Sequence, residues 1–198
     1  MKIIIVGATG TIGKKVTAAF EKEHEIIRVG SKSGDIQADT SSEASVEALF
    51  QQTGPFDALI NAAGYGHFGP LATMTGKDFR KGLDNKLMGQ IHLVLIGQHY
   101  IRPKGSFSLT TGILSEEPIP MGANLSAVNG AIESFVRAAA IELENGVRIN
   151  AVSPGLTEDS AHLAKFYPGY TLVTMDRVVN GYLKSVLGGR TGEIIKVY

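Results

Sequence analysis

Between Val6 and Lys14 the chain reads Gly7-Ala8-Thr9-Gly10-Thr11-Ile12-Gly13, three glycines at a spacing of three. An apolar run precedes them and an amphipathic stretch follows, so they occupy a turn from a buried strand into a helix. Such a turn lets a pyrophosphate approach the unpaired amides at a helix N-terminus, because glycine has no side chain to block it. The alternative is an ordinary glycine-rich turn with no ligand. A carboxylate about 20 residues further on would bind the ribose 2′-hydroxyl of NAD. Here the second strand ends Val29-Gly30-Ser31-Lys32-Ser33-Gly34, and Asp35 comes late. One ammonium flanked by two hydroxyls suits a 2′-phosphate. Gly7, Thr9, Gly10, Thr11, Ile12 and Gly13 therefore predict a dinucleotide-binding turn. Ser31, Lys32 and Ser33 favour NADP(H) over NAD(H), with a solvated polar turn as the alternative.

Other reactive side chains carry less. His92 and His99 are seven apart, hence on one helix face, but neither has a carboxylate three or four residues on. No metal site is expected there, and the two read as interface or surface histidines. The chain has no cysteine, which excludes disulfides, thiolate metal sites and a cysteine nucleophile.

The elements that must position these groups alternate in type. Short β-branched runs at 2–6, 25–29, 36–38, 57–61, 106–110, 147–152 and 193–197 predict strands, most of them apolar on both faces. Amphipathic stretches at 12–22, 42–51, 76–100, 124–144 and 176–187 predict helices, and Asp39-Thr40-Ser41-Ser42 supplies a cap for the second. The alternation predicts an α/β fold: a single doubly wound Rossmann domain over residues 1–198. Its seven-stranded sheet should be mostly parallel, with helices on both faces and right-handed crossovers. Segments 113–122 and 155–175 follow strands at their carboxyl ends, the edge where open α/β sheets bind ligands. The second holds Phe166, Tyr167 and Tyr170, suited to lining a pocket, forming a lid or packing a loop.

Composition narrows the class. Nineteen basic and nineteen acidic residues cancel, which gives no general attraction for nucleic acid or an anionic membrane. With 43% apolar residues the chain is too apolar for disorder. No apolar run reaches the roughly 18 residues of a membrane span, and glycines interrupt the N-terminal one before a secretory core forms. The expectation is a soluble, cytoplasmic protein whose partner is a small-molecule substrate.

With these motifs in place, the chain resembles the short-chain dehydrogenase/reductase family over nearly its whole length. Asn61-Ala62-Ala63-Gly64 is similar to that family's Asn-Ala-Gly motif after the fourth strand. Asp39 falls where the family places an aspartate beside the adenine ring. Asn85 matches the asparagine on its long central helix. Arg148-Ile149-Asn150-Ala151-Val152-Ser153-Pro154-Gly155 is similar to its sixth strand and the Pro-Gly turn by the nicotinamide. The resemblance implies a Rossmann fold and a nicotinamide cofactor contacted also by Asp39, Asn61, Ala62, Ala63, Gly64, Pro154 and Gly155. It also implies a homodimer or homotetramer built on the two long helices.

That family uses Tyr-x-x-x-Lys on the helix after the fifth strand, the tyrosine as acid/base and the lysine to lower its pKa. Anchored on Ala140-Ile141-Glu142-Leu143, the two positions fall at Leu125 and Asn129, and residues 122–136 contain neither tyrosine nor lysine. The resemblance leaves Asn85 and, in place of an active-site serine, Thr111 as catalytic candidates. Tyr65, His67 and Ser115 are candidate replacement acids. Asn124 and Asn129 can donate hydrogen bonds, but an amide transfers no proton at neutral pH. Two functions follow: an NADP(H)-dependent oxidoreductase of a carbonyl or alcohol with an altered acid/base centre, or a catalytically degenerate NADP(H)-binding sensor or interaction protein.

Overall fold

Seven apolar runs become strands β1 (Lys2–Val6), β2 (Glu25–Gly30), β3 (Ile36–Gln37), β4 (Phe56–Asn61), β5 (Ile101–Thr110), β6 (Arg148–Pro154) and β7 (Ile194–Val197), in a computed structural model that describes all 198 residues. They form one sheet in the order β3-β2-β1-β4-β5-β6-β7. Every neighbouring pair is parallel, so the sheet is wholly rather than mostly parallel. Strand order reverses between β1 and β4, which opens a crevice at their carboxyl ends.

The helices are α1 (Thr11–Phe20), α2 (Glu43–Thr53), α3 (Gly76–Gly82), α4 (Gly89–Gly97), α5 (Ala123–Glu142) and α6 (Met175–Leu187). Along β1, Ile4 and Val6 join one core with Phe50 of α2, Leu93 of α4 and Ile132 of α5. Ile3 and Ile5 join the other with Val16 and Phe20 of α1 and Tyr182 of α6. Helices on both faces explain why the strands show no apolar–polar alternation. None of the helices is long and apolar enough to cross a membrane.

The helix predicted over 76–100 is not uniform. A π-helical turn, Leu83–Met88, separates α3 from α4; such turns are rare and gather at functional sites. The turn buries Lys86 beside Gln90, whose side chain is 1% exposed. Gln90 Nε2 donates to the carbonyls of Lys86 (3.2 Å) and Thr110 (3.0 Å), and its Oε1 accepts from Thr110 N (2.8 Å). One amide thus clamps the π turn to the end of β5. His92, expected at a surface or interface, is instead buried. Its Nδ1 lies 3.0 Å from the Thr40 carbonyl and its Nε2 3.6 Å from Glu43, which fastens α4 to the start of α2.

Gln90→Leu keeps most of the side-chain volume but leaves the buried Thr110 N–H without an acceptor. The expected loss is about 1–3 kcal/mol, measured as a lower urea midpoint with an unchanged m-value.

Candidate active site

Two hollows open at the carboxyl edge of the sheet. The outer one, a cleft of ≈ 390 Å³, begins at the glycine turn. Gly10 caps α1 with no side-chain hydrogen bond, and Lys14 N is the first amide to donate back into the helix, to the Gly10 carbonyl at 3.0 Å. The amides of Thr11, Ile12 and Gly13 therefore have no acceptor within the helix. Close packing makes the glycines necessary. A Cβ on Gly7, which has φ +80°, would lie 2.8 Å from Ala63 Cβ, and one on Gly13 only 1.9 Å from the Gly7 carbonyl oxygen.

Gly7, Thr9 and Gly10 border this cleft with Ser31, Lys32 and Ser33 after β2, Asp39 after β3, Ala62, Ala63 and Gly64 after β4, and Asn85. Thr9 Oγ1 and Ser33 Oγ, 3.0 Å apart, tie the glycine turn to the bend after β2. Lys32 is exposed and forms no ion pair. The nearby carboxylate of Asp35 is turned away, accepting from Arg28 N at 2.8 Å. Asp39 accepts from the Ser41 hydroxyl and amide, which hold its carboxyl below the usual range and keep it charged. Asn61 is buried behind the cleft, its Nδ2 donating to the Ala63 carbonyl at 2.8 Å. It shapes the turn rather than lining the cleft, as do Thr11 and Gly13; Ile12 faces the second hollow.

The inner hollow, of ≈ 220 Å³, lies between the π turn, α5 and the loops after β5 and β6. Lys86, Thr111, Leu125, Asn129, Pro154 and Gly155 border it, and Leu163 and Tyr167 come from a short 3₁₀-helical segment, Glu158–Phe166. Segments 113–122 and 155–175 thus both supply its walls. Thr111 Oγ1 and Asn129 Oδ1 are buried without any partner. Asn129 Nδ2 donates to the Gly112 carbonyl at 3.2 Å. Lys86 is 8% exposed, and its Nζ donates to the Thr111 carbonyl at 3.3 Å. Burial alone draws its pKa down to about 8. Its stem runs past Gly64, where a Cβ would stand 3.0 Å from Lys86 Cγ. Lys86, Thr111 and Asn129 therefore border one hollow, and of the three only the Lys86 ammonium is able to protonate an oxygen.

The candidate replacement acids stand elsewhere. Tyr65 is 62% exposed on the rim of the outer cleft, and its amide donates to Asn85 Oδ1 at 2.8 Å. His67 Nδ1 lies 4.0 Å from Asp78 Oδ1, and Ser115 donates to Glu133 Oε1 at 2.6 Å. Neither borders the inner hollow. Asn124 uses both ends of its side chain, accepting from His67 N and donating to the Phe79 carbonyl, each at 2.8 Å. Tyr167 packs edge-on to Tyr170 and Phe166 edge-on to Phe68. Lys86 was missed by sequence reasoning, although one signal marks it. It stands in helical phase with Gln90, Leu93 and Gly97, all buried.

Residues 1–177 match the family model described as enoyl-(acyl carrier protein) reductase. An uncharacterized oxidoreductase of Methylorubrum extorquens is 25% identical, over 81% of this chain and 75% of its own. Versicolorin reductase 1 of Dothistroma septosporum is 28% identical, over 83% and 66%. The chain spans from about half to three quarters of the length of the curated relatives it matches. The structure of protein lin1944 from Listeria innocua, 42% identical, superimposes over all of both chains with a TM-score of 0.98. A small-chain dehydrogenase in complex with NADPH, 27% identical, covers 100% of this chain and 96% of its own with a TM-score of 0.89. A family match running through the glycine turn, the parallel sheet and most of the remaining chain has one reading: the chain belongs to the short-chain dehydrogenase/reductase family.

Proposed function

We propose that this protein is, as a single domain, an NADP(H)-dependent oxidoreductase that interconverts a small carbonyl compound and its alcohol. The observation that carries this reading is the outer cleft, where the Gly7, Thr9 and Gly10 turn that opens α1 and a carboxylate-free bend bearing Lys32 border one groove. Those residues fit the dinucleotide. The amides of Thr11, Ile12 and Gly13 suit its diphosphate. Ser31, Lys32 and Ser33 suit a ribose 2′-phosphate, Asp39 the adenine, and Ala62, Ala63 and Gly64 the floor beneath. Asn61 shapes that floor. Pro154 and Gly155 stand at the inner hollow, on the nicotinamide side. The related small-chain dehydrogenase in complex with NADPH supports the choice of NADP(H).

Bound there, the nicotinamide supplies hydride chemistry. The chain's own residues bind and orient the substrate. Thr111 and Asn129 are polar residues at the border of the inner hollow, on the side where a substrate hydroxyl or the nicotinamide ribose would lie. Asn85 positions the Tyr65 turn between the two hollows. Leu114, Leu125, Leu156 and Leu163 add apolar side chains to the wall. A hollow this small favours a compact substrate with one oxygen function. Leu95 on α4 and Ile141 on α5 are exposed, which supports assembly into a homodimer or homotetramer through those helices.

Calorimetric titration should show NADPH binding more tightly than NADH. Lys32→Ala should weaken NADPH by about ten-fold or more, since hydrogen bonds to charged groups contribute about 1.5–3 kcal/mol, and should leave NADH unchanged. Equal affinities in the wild type overturn the NADP(H) assignment. Gly13→Ala should abolish binding of both nucleotides, because the new methyl group meets the Gly7 carbonyl.

A further inference from the structure

Lys86 is the one buried ammonium of the chain that no carboxylate compensates, and its burial is built rather than incidental. The π turn carries it inward, Gln90 fixes its carbonyl, and Gly64 leaves a channel for its stem. Its single hydrogen bond, to the Thr111 carbonyl, leaves two of three N–H groups without a partner, and the residue borders the inner hollow with Thr111 and Asn129. A side chain retained only for packing would do this more cheaply as methionine.

We propose that Lys86 is the catalytic acid/base of this site, giving its ammonium proton to the oxygen of a substrate seated in the inner hollow. This rests on the oxidoreductase reading above. In the reductive direction the carbonyl carbon gains the hydride of a dihydronicotinamide, which is oxidised. The oxygen gains one proton from Lys86, and the neutral amine regains a proton from water. The reverse direction needs the amine as base, so both forms must be reachable near neutrality. Desolvation, which brings Lys86 to about 8, makes them so.

The surrounding groups do not compete for this role. α5 presents Leu125 and Asn129, and its next charged side chain, Glu133, is engaged by Ser115 and Arg137. On the helix of Lys86 itself, Asp84 is exposed to solvent. The loops after β4 and β6 present Gly64, Pro154, Leu156 and Thr157 to it or to the hollow, none of which titrates. Tyr167 is the only other titratable side chain on the wall. Burial raises its pKa, so it stays a neutral phenol.

The test uses the intact protein, with Lys86→Met, Lys86→Arg and Tyr167→Phe. Nitrogen-15 NMR of labelled lysine Nζ, assigned through Lys86→Met, should show one lysine titrating near pH 8; titration above pH 10 overturns the assignment. Because this pKa lies below that of the unfolded chain, wild-type stability should rise between pH 8 and 10.5. Lys86→Met should melt higher than wild type at pH 7, which also verifies that it folds, and the gap should close by pH 10.5. NADPH-dependent reduction of benzaldehyde and 4-nitrobenzaldehyde should decline above the Lys86 pKa in the wild type. Lys86→Met should lose about 10²–10⁴-fold in kcat with NADPH affinity unchanged. Lys86→Arg should lose the alkaline limb, which Tyr167→Phe should keep. A wild-type pH profile persisting in Lys86→Met, or vanishing in Tyr167→Phe, overturns the role of Lys86 and leaves the cofactor reading intact. Failure of the wild type to bind NADPH overturns the cofactor reading itself, and binding without turnover of either probe overturns the reductase reading and the role of Lys86 together.

Discussion

At the carboxyl ends of β1 and β4 the backbone of Gly7 lies so close to Ala62 and Ala63 that no side chain fits between them. Two hydrogen bonds hold that approach, from Gly7 N to the Val29 carbonyl and from Ala62 N to the Val6 carbonyl, each at 2.8 Å. Three strands are thereby laced at the point where their order reverses. Gly13 sits on the Gly7 carbonyl, which fixes the start of α1 against the glycine turn. On the far side the Thr110 hydroxyl donates to the Asn61 carbonyl and pairs with the buried Tyr182 hydroxyl, which joins β4, β5 and α6. The floor of the outer cleft is therefore fixed by backbone packing before any ligand arrives, which is what electrostatic recognition requires.

Against that rigid floor stands one unfavourable feature, an ammonium in an apolar wall. Removing a cation from water without a counter-charge costs several kcal/mol, even after relaxation. A single carbonyl contact offsets only part of it. The chain pays elsewhere for the arrangement, through the Gln90 clamp that holds a rare helical geometry in place. Burial of an ionisable group of this kind gathers at functional sites.

Much of this was legible because it is local. β-branched runs bounded by glycine and polar residues marked all seven strands, and the glycine turn announced itself by spacing and context. β5 begins earlier than expected, at Ile101, because Phe56 pairs with Ile101 before a register shift restores the ladder at Ala58 and Ser106. That irregularity depends on two strands at once. The π turn was invisible for the same reason: its clamp comes from Thr110, twenty residues away. His92 looked unpartnered at helical spacing, yet its partners, Thr40 and Glu43, come from another element. Asn124 looked like a ligand donor until both ends of its side chain proved occupied. Asn85 was singled out by resemblance to the family's central-helix asparagine; it borders the outer cleft, whereas the next residue, Lys86, borders the inner hollow.

The two hollows differ in what they ask of the sequence. The outer cleft is made largely of amides and close-packed backbone, so a few glycines at set places suffice, and many side chains elsewhere can change without altering it. The inner hollow depends on the identity of individual side chains, and there a departure such as Leu125 or Asn129 changes the chemistry directly. This asymmetry lets the fold and the glycine turn match the family over residues 1–177 without fixing which side chains border the inner hollow. A proton donor need only reach the substrate oxygen from some wall of the hollow. With α5 offering leucine and an amide, the π turn is the wall from which an ionisable group arrives.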